Sequence, residues 1–368
     1  MLRDERERNL TMKQVFECYR DRIDKLVDDF PLDIDKDVVI DGRPPTSANS
    51  EFLTNKEQGD WAERLVFKAI NDSSTEFVAV RYGRSDSIAA GDNGFAEFYR
   101  AYQDELNQIG KKPDLLLFKR GEAPLDGNAL DNGEIVSKAI AAIEVRSSSF
   151  LCNKYKAVMS SRIANAECRC EELRDMILQE PYGGLLKRKK PVVYDLLKSA
   201  SRETFRELTF RSASWSSSND LRNLSGLLKE LKESIRQLHK RDYLSITPKV
   251  EDIALVNRWI SNFNVPHFYL QVFFDQAYMI SFEKILSLCS DSEREGVDFS
   301  FETDVKNQGK RTVKVNIDVG DPVIGRIDMP THYSAMKELD RGRLLFYVRF
   351  DGGQGYLDMD MFRRIVSA

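Results

Sequence analysis

The sequence predicts an α/β fold in which a mixed β-sheet is flanked by helices, with a helical insertion and a β-rich C-terminal segment. Three observations carry that expectation. Helical stretches and short apolar runs follow one another as helix, strand, strand, strand, helix, strand, strand, the order of a mixed sheet covered by helices. Between these runs lies a long block, about 153–247, with helical character and a basic segment within it. The tail from Val297 to Ala368 alternates polar and apolar residues as strands do.

Taken in order, residues 10–30 place Val15, Phe16, Tyr19, Ile23, Leu26 and Val27 at helical spacing and stop at Pro31. Residues 31–49, with Gly42, Pro44 and Pro45, read as a linker or arm. A helix is expected over 50–70 and a strand over 76–82. Turn-forming residues around Gly91 and Gly94 precede a short helix over 95–106. Strands follow at 114–118 and 139–147, separated by a turn-rich excursion. After the helical block, the aromatic and β-branched run 265–274 predicts a buried strand, with a neighbour at 276–281 and a helix over 282–288. The expected division is an N-terminal helical arm (1–58), a core (59–290) interrupted by the insertion, and a β-rich C-terminal lobe (291–368).

Composition narrows the chemistry. The apolar fraction is 42% and the charged fraction 31%, values of a globular chain. No stretch approaches the ~18 apolar residues that span a bilayer, and the charged start Met1–Arg8 has no apolar segment behind it, so the expectation is a cytoplasmic protein away from membranes. Five scattered cysteines (Cys18, Cys152, Cys168, Cys170, Cys289) form no CxxC pair, which argues against structural zinc or a disulfide framework. The three histidines (His239, His267, His332) are far apart in sequence, so carboxylates and a cation are the better candidates for catalysis. Neither GxGxxG nor GxxxxGK followed by Ser or Thr occurs.

Three carboxylates stand out. Asp114 follows Pro113 and opens Leu115-Leu116-Leu117-Phe118; Glu144 sits in Ala141-Ala142-Ile143-Glu144-Val145-Arg146; Glu63 lies on the helix over 50–70. Charge inside strongly apolar strands needs a reason, because burying it unpaired is costly. Mg²⁺ takes carboxylate oxygens plus waters and a phosphate oxygen, and it lowers the pKa of a water that attacks a phosphodiester. Asp114, Glu144, Glu63 and the Val145 carbonyl are therefore the expected metal ligands. Strand alternation sends Glu144 and Arg146 to the same face, with the cation beside the metal.

Pro113-Asp114 followed by Glu144-Val145-Arg146 resembles the PD-(D/E)xK nuclease signature, and Gly59 to Glu63 looks like the helix that precedes it. The stretch 248–288, with Val250-Glu251-Asp252-Ile253, Trp259-Ile260 and Val265 to Asp275, resembles the second half of the AccI restriction endonuclease family. That resemblance implies a restriction-endonuclease-like core and a homodimer cutting double-stranded DNA at a short palindrome with Mg²⁺. A cognate DNA methyltransferase is expected beside it. The alternatives are a non-catalytic DNA-binding or assembly protein and a repair or junction-resolving nuclease on the same core. One departure matters: Arg146 stands where the family has lysine, and arginine cannot serve as a base. Arg146 is expected to orient the water or stabilise the phosphorane, unless Lys138, Lys154 or Lys156 takes the lysine's part.

Residues 181–247 hold 14 Lys and Arg against 7 Asp and Glu, in a chain of net charge −4. Such a segment suits a polyanion. The expected DNA contacts are Lys187, Arg188, Lys189 and Lys190 for phosphates, Arg211, Trp215 and Asn219 for bases or as a wedge, and Arg81 and Arg84 for the backbone. Trp61, Trp259 and His267 read as packed residues.

Overall fold

The computed structural model describes residues 48–83, 88, 90–124, 127–304, 310–339 and 342–367. The helix expected over 10–30, most of the linker after it, and Arg84 lie outside the described residues. The chain divides into two units: one runs up to Cys152 and resumes at Leu244, and the other is Asn153–Tyr243.

The first unit begins with α1 (Ser50–Ser73), β1 (Phe77–Arg81), α2 (Phe95–Ile109), β2 (Leu115–Lys119) and β3 (Ala141–Ser147). Asn49 caps α1 by accepting the Phe52 N–H at 2.7 Å, satisfying one of the donors a helix start leaves open. Trp61, Ala62, Leu65, Val66, Ala69 and Ile70 make its buried stripe at the spacing an α-helix needs for one apolar face. The Ser74 hydroxyl accepts the Phe77 N–H at 2.8 Å and turns the chain into β1.

The second unit is helical: α3 (Cys152–Leu178), α4 (Tyr182–Lys189), α5 (Pro191–Ser199) and α6 (Asn219–Leu238). Leu221, Leu224, Leu228, Leu231, Ile235 and Leu238 recur every three or four residues along α6, and the last five join Cys170, Leu173 and Ile177 of α3 in one core. The basic residues of α6, Arg222, Lys229, Lys232 and Arg236, are exposed.

The first unit resumes with β4 (Ser245–Ile246), α7 (Val250–Phe263), β5 (His267–Val272), β6 (Ala277–Ser281) and α8 (Phe282–Cys289). It continues through β7 (Phe299–Asp304), β8 (Lys310–Asn316), β9 (Asp321–Asp328), β10 (Thr331–Glu338), β11 (Leu344–Asp351), β12 (Gln354–Leu357) and α9 (Met359–Val366). Seven strands form one sheet in the order β1-β2-β3-β5-β6-β9-β12. Within it β3 and β5 are parallel and the other neighbours antiparallel. A parallel pair needs a long crossover, and here the chain between β3 and β5 contains the whole helical unit and α7.

The fold is thus a mixed sheet flanked by helices, as the sequence predicts. The tail is shared out: β9 and β12 extend the main sheet, β8 pairs with both β4 and β7, and β10 and β11 form a hairpin. Val323, Ile324 and Ile327 of β9 continue the sheet's apolar face, which explains why this strand adds to the sheet edge. Among the described residues no helix is long and apolar enough to cross a membrane.

The two faces of the sheet differ in chemistry. One carries Ala141, Ile143, Val145, Phe268, Leu270 and Val272, packed with residues of α1 and α9. The other carries the alternate residues, Glu144 and Arg146 on β3 and His267, Tyr269 and Gln271 on β5, with Glu144 opposite Tyr269 and Arg146 opposite Gln271. α7 lies on this polar face, where Trp259 stacks edge-on to Tyr82 and His267.

Candidate active site

Glu144 sits on β3 with only 4% of its side chain exposed. Its neighbour in the site, Asp114, stands where the β2–β3 ladder stops at Leu115 opposite Ile143. The side chain there takes over from the backbone: Asp114 Oδ2 accepts the Val145 N–H at 2.6 Å. On its other flank the Asp114 carbonyl accepts the N–H groups of Tyr82 and Gly83, at 2.9 and 3.2 Å. Gly83 packs so closely that a Cβ at that position would lie 3.2 Å from Asp114 Cα and 3.4 Å from Oδ1. Asp114 is therefore held from three sides with one carboxylate oxygen committed to Val145.

Two cations meet Glu144. Lys111 Nζ lies 2.7 Å from Glu144 Oε1 and 2.7 Å from Asp252 Oδ2. Arg146 reaches the same two carboxylates at 2.9 and 3.2 Å. The four side chains alternate in sign around a closed ring. Arg146 lies on the same face as Glu144, as strand alternation requires. The lysine bonded to Glu144 is Lys111, which sequence reasoning passed over; Lys138 is exposed.

Its placement follows from the chain on either side. Gly110 ends α2 with φ +85°, and a Cβ there would meet Leu255 O at 2.3 Å and Trp259 N at 2.6 Å. The Lys111 N–H donates to Leu255 O at 3.0 Å. The signals available in sequence were a glycine before Lys111, a lysine three residues ahead of Asp114, and an acid at the start of a helix; none has a recognisable period.

Electrostatics divide the carboxylates into two classes. Burial, then the negative charges of Glu144 and Glu63, raise the Asp114 carboxyl well above the ordinary range. Glu63 is raised to about 7 by burial, Asp60 and Glu144, against the pull of Arg81 and Lys56. Burial alone would also raise Glu144, but Lys111 and Arg146 overcome it and hold the carboxylate ionised. Asp252, equally subject to burial, is lowered to about 2 by the same two cations and Lys249. His267 is pushed down to about 4 mainly by burial, and so is neutral at pH 7.

Among the described residues no group of three or more His, Cys, Asp or Glu is arranged to hold a metal ion. Mg²⁺ asks for less than such a cage, one or two carboxylates plus waters and a phosphate. Two observations suit the donor set to it. Glu144 Oε2 is buried with no hydrogen-bond partner, and such an atom in a native site calls for an ion or water. Burial, and then neighbouring carboxylates, raise both Asp114 and Glu63 toward the protonated form, and a hard cation relieves the repulsion part of that shift. Arg146 Nε, both His267 nitrogens, the Tyr269 hydroxyl and Gln271 Oε1 are likewise buried and unpartnered.

The expected DNA contacts are distributed as follows. Arg81 is exposed at the end of β1, over the Phe67 ring at 5.1 Å. In the helical unit Lys187, Arg188 and Lys189 form the exposed last turn of α4, where a helix C-terminus favours cations. Lys190 Nζ donates to Arg211 O at 2.9 Å. Asn219 opens α6 and is exposed, while Trp215 is half-buried against the helical core.

No curated protein and no solved structure matches the chain. A family model, the AccI restriction endonuclease, matches residues 17–368, a span that contains Asp114, Glu144, both cations and the helical unit. On that match across nearly its whole length, the chain belongs to the AccI restriction endonuclease family.

Proposed function

We propose that the protein is a type II restriction endonuclease that hydrolyses double-stranded DNA at a short palindromic site with Mg²⁺, on a PD-(D/E)xK-like core and as a homodimer. The observation that carries this reading is the junction of β2 and β3, where Asp114 and Glu144 stand side by side with Lys111 and Arg146 bonded to Glu144. Family membership makes DNA the expected substrate. The cytoplasm, with a cognate DNA methyltransferase protecting the host sites, is the setting such an enzyme requires.

Asp114, through the oxygen not committed to Val145, and Glu144, through Oε2, are the proposed metal ligands. The Val145 carbonyl and Glu63 complete the candidate set, Glu63 as an outer or second-metal ligand. Bound Mg²⁺ supplies a water of lowered pKa and offsets charge on the phosphate. Lys111 and Arg146 have their protonated forms favoured by the carboxylates around them, against the cost of burial. Both therefore act as fixed cations and not as bases: they orient the attacking water and face the charge that grows on the phosphate in the transition state. The basic last turn of α4, with Arg211, Asn219, Arg81 and Arg84, is proposed to contact DNA.

A second reading has an observation of its own: the ring of Lys111, Glu144, Arg146 and Asp252 neutralises itself, as a structural ion-pair network in a non-catalytic DNA-binding protein does. Incubating the protein with unmethylated plasmid and phage DNA and Mg²⁺ separates the readings. Discrete fragments that vanish in Asp114→Ala and Glu144→Ala, with DNA binding in Ca²⁺ retained, support the endonuclease. Cutting only at branched or damaged DNA indicates a repair enzyme, and no cutting under any metal or pH the binding protein.

A further inference from the structure

α7 does more than cover the polar face of the sheet. Its first-turn residue Asp252 contacts both cations of the site through one oxygen, Lys111 at 2.7 Å and Arg146 at 3.2 Å, with 15% of its side chain exposed. Lys111 and Arg146 also share Glu144 Oε1, so the two positive heads are close neighbours in a largely dry place. Like charges so arranged repel, and one carboxylate cannot neutralise two cations. A second anion is needed to hold both.

The helix is well fixed for that task. Arg258 donates to Leu106 O and Asn107 O at 3.1 and 3.0 Å, binding α7 to the end of α2. Gly110 presses against the α7 backbone, and the Lys111 N–H bonds Leu255 O. Backbone and side chain of Lys111 are therefore both set by α7.

We propose that Asp252 is a positioning residue for DNA cleavage, holding Lys111 and Arg146 together beside Glu144 so that both face the reacting phosphate. The proposal rests on the endonuclease reading above. Its logic is one of charge: Lys111 and Arg146 sit on Glu144 Oε1 while Oε2 is the candidate metal ligand, and a carboxylate whose single charge is shared with a metal is a weaker partner for two cations. Asp252 supplies counter-charge that metal binding at Glu144 does not consume, so the pair of cations keeps its geometry through the reaction.

The test compares wild type, Asp252→Asn, Asp252→Glu, Lys111→Met and the Asp252→Asn/Lys111→Met double variant. Three quantities are read: single-turnover cleavage with Mg²⁺ at saturating DNA, DNA affinity with Ca²⁺ in its place, and thermal unfolding without metal. Asp252→Asn is expected to cut at least 100-fold more slowly with DNA affinity within threefold of wild type, and Asp252→Glu to recover a tenth of the rate or more. In the Lys111→Met background, adding Asp252→Asn should cost under threefold, because residues acting as one unit are not additive. Without metal, the double variant should unfold at a higher temperature than Asp252→Asn alone, since the stranded cation is gone. Cleavage by Asp252→Asn within threefold of wild type overturns the proposal, as do losses that multiply or unfolding shifts that add. A wild-type protein that cuts no DNA overturns the endonuclease reading instead, and the unfolding series then still decides whether Asp252 and Lys111 are coupled.

Discussion

Replacing Glu63 by Gln should stabilise the metal-free protein at alkaline pH, and the size of the gain follows from the site. In the folded chain the Glu63 carboxyl is raised from 4.5 to about 7 by burial, Asp60 and Glu144. A group raised on folding contributes stability that is complete below the unfolded value of 4.5 and is lost as pH climbs through about 7. At roughly 1.4 kcal/mol per pH unit, the loss by pH 8 is on the order of 3 kcal/mol. Glutamine imitates the protonated carboxyl and does not titrate. Glu63→Gln and wild type should therefore match near pH 4.5 and diverge as pH rises, reaching roughly 2–3 kcal/mol in the variant's favour at pH 8.

Differential scanning calorimetry or urea unfolding in chelator, pH by pH, measures this directly. Taking the difference between variant and wild type at each pH cancels the opposing effect of His267, whose depressed value of about 4 makes stability fall as pH drops below the unfolded value of 6.5. Mg²⁺ at pH 8 should narrow the gap, because a cation among the carboxylates removes the repulsion that glutamine removes. A Glu63→Gln variant no more stable than wild type at pH 8, or equally shifted at every pH, would refute the electrostatic account of the cluster.

Two glycines give sharper geometric predictions. Gly83→Ala puts a Cβ 3.2 Å from Asp114 Cα and 3.4 Å from its Oδ1, so titrating Mg²⁺ in a cleavage assay should show about a tenfold loss at limiting metal, with near-normal unfolding. Gly110→Ala meets the α7 backbone at 2.3 Å from a φ of +85°, and denaturant unfolding should register a loss of roughly 3 kcal/mol or more.

The sequence exposed those parts of the site that local pattern encodes. Asp114 and Glu144 were visible because a charge inside a run such as Ala-Ile-Glu-Val contradicts its surroundings, and Arg146 because strands alternate. β1, β2, β3, β5 and β6 followed from apolar, β-branched runs. Lys111 and Asp252 were not visible: they lie 141 residues apart and meet only because Gly110 lets α7 approach. The destination of β9 was equally hidden, since alternation announces a strand but not its partner. Trp215 stands in a serine-rich loop, and its packing against the helical core is a contact that local composition does not announce.

As proposed, the active-site lysine comes from ahead of Asp114, in place of the position that Arg146 occupies. Single-turnover cleavage by Lys111→Met at saturating Mg²⁺ and DNA tests it most directly. The expected rate is at least about 10³-fold below wild type, with DNA affinity in Ca²⁺ within threefold. Cleavage within tenfold of wild type would show that Lys111 only completes an ion-pair ring.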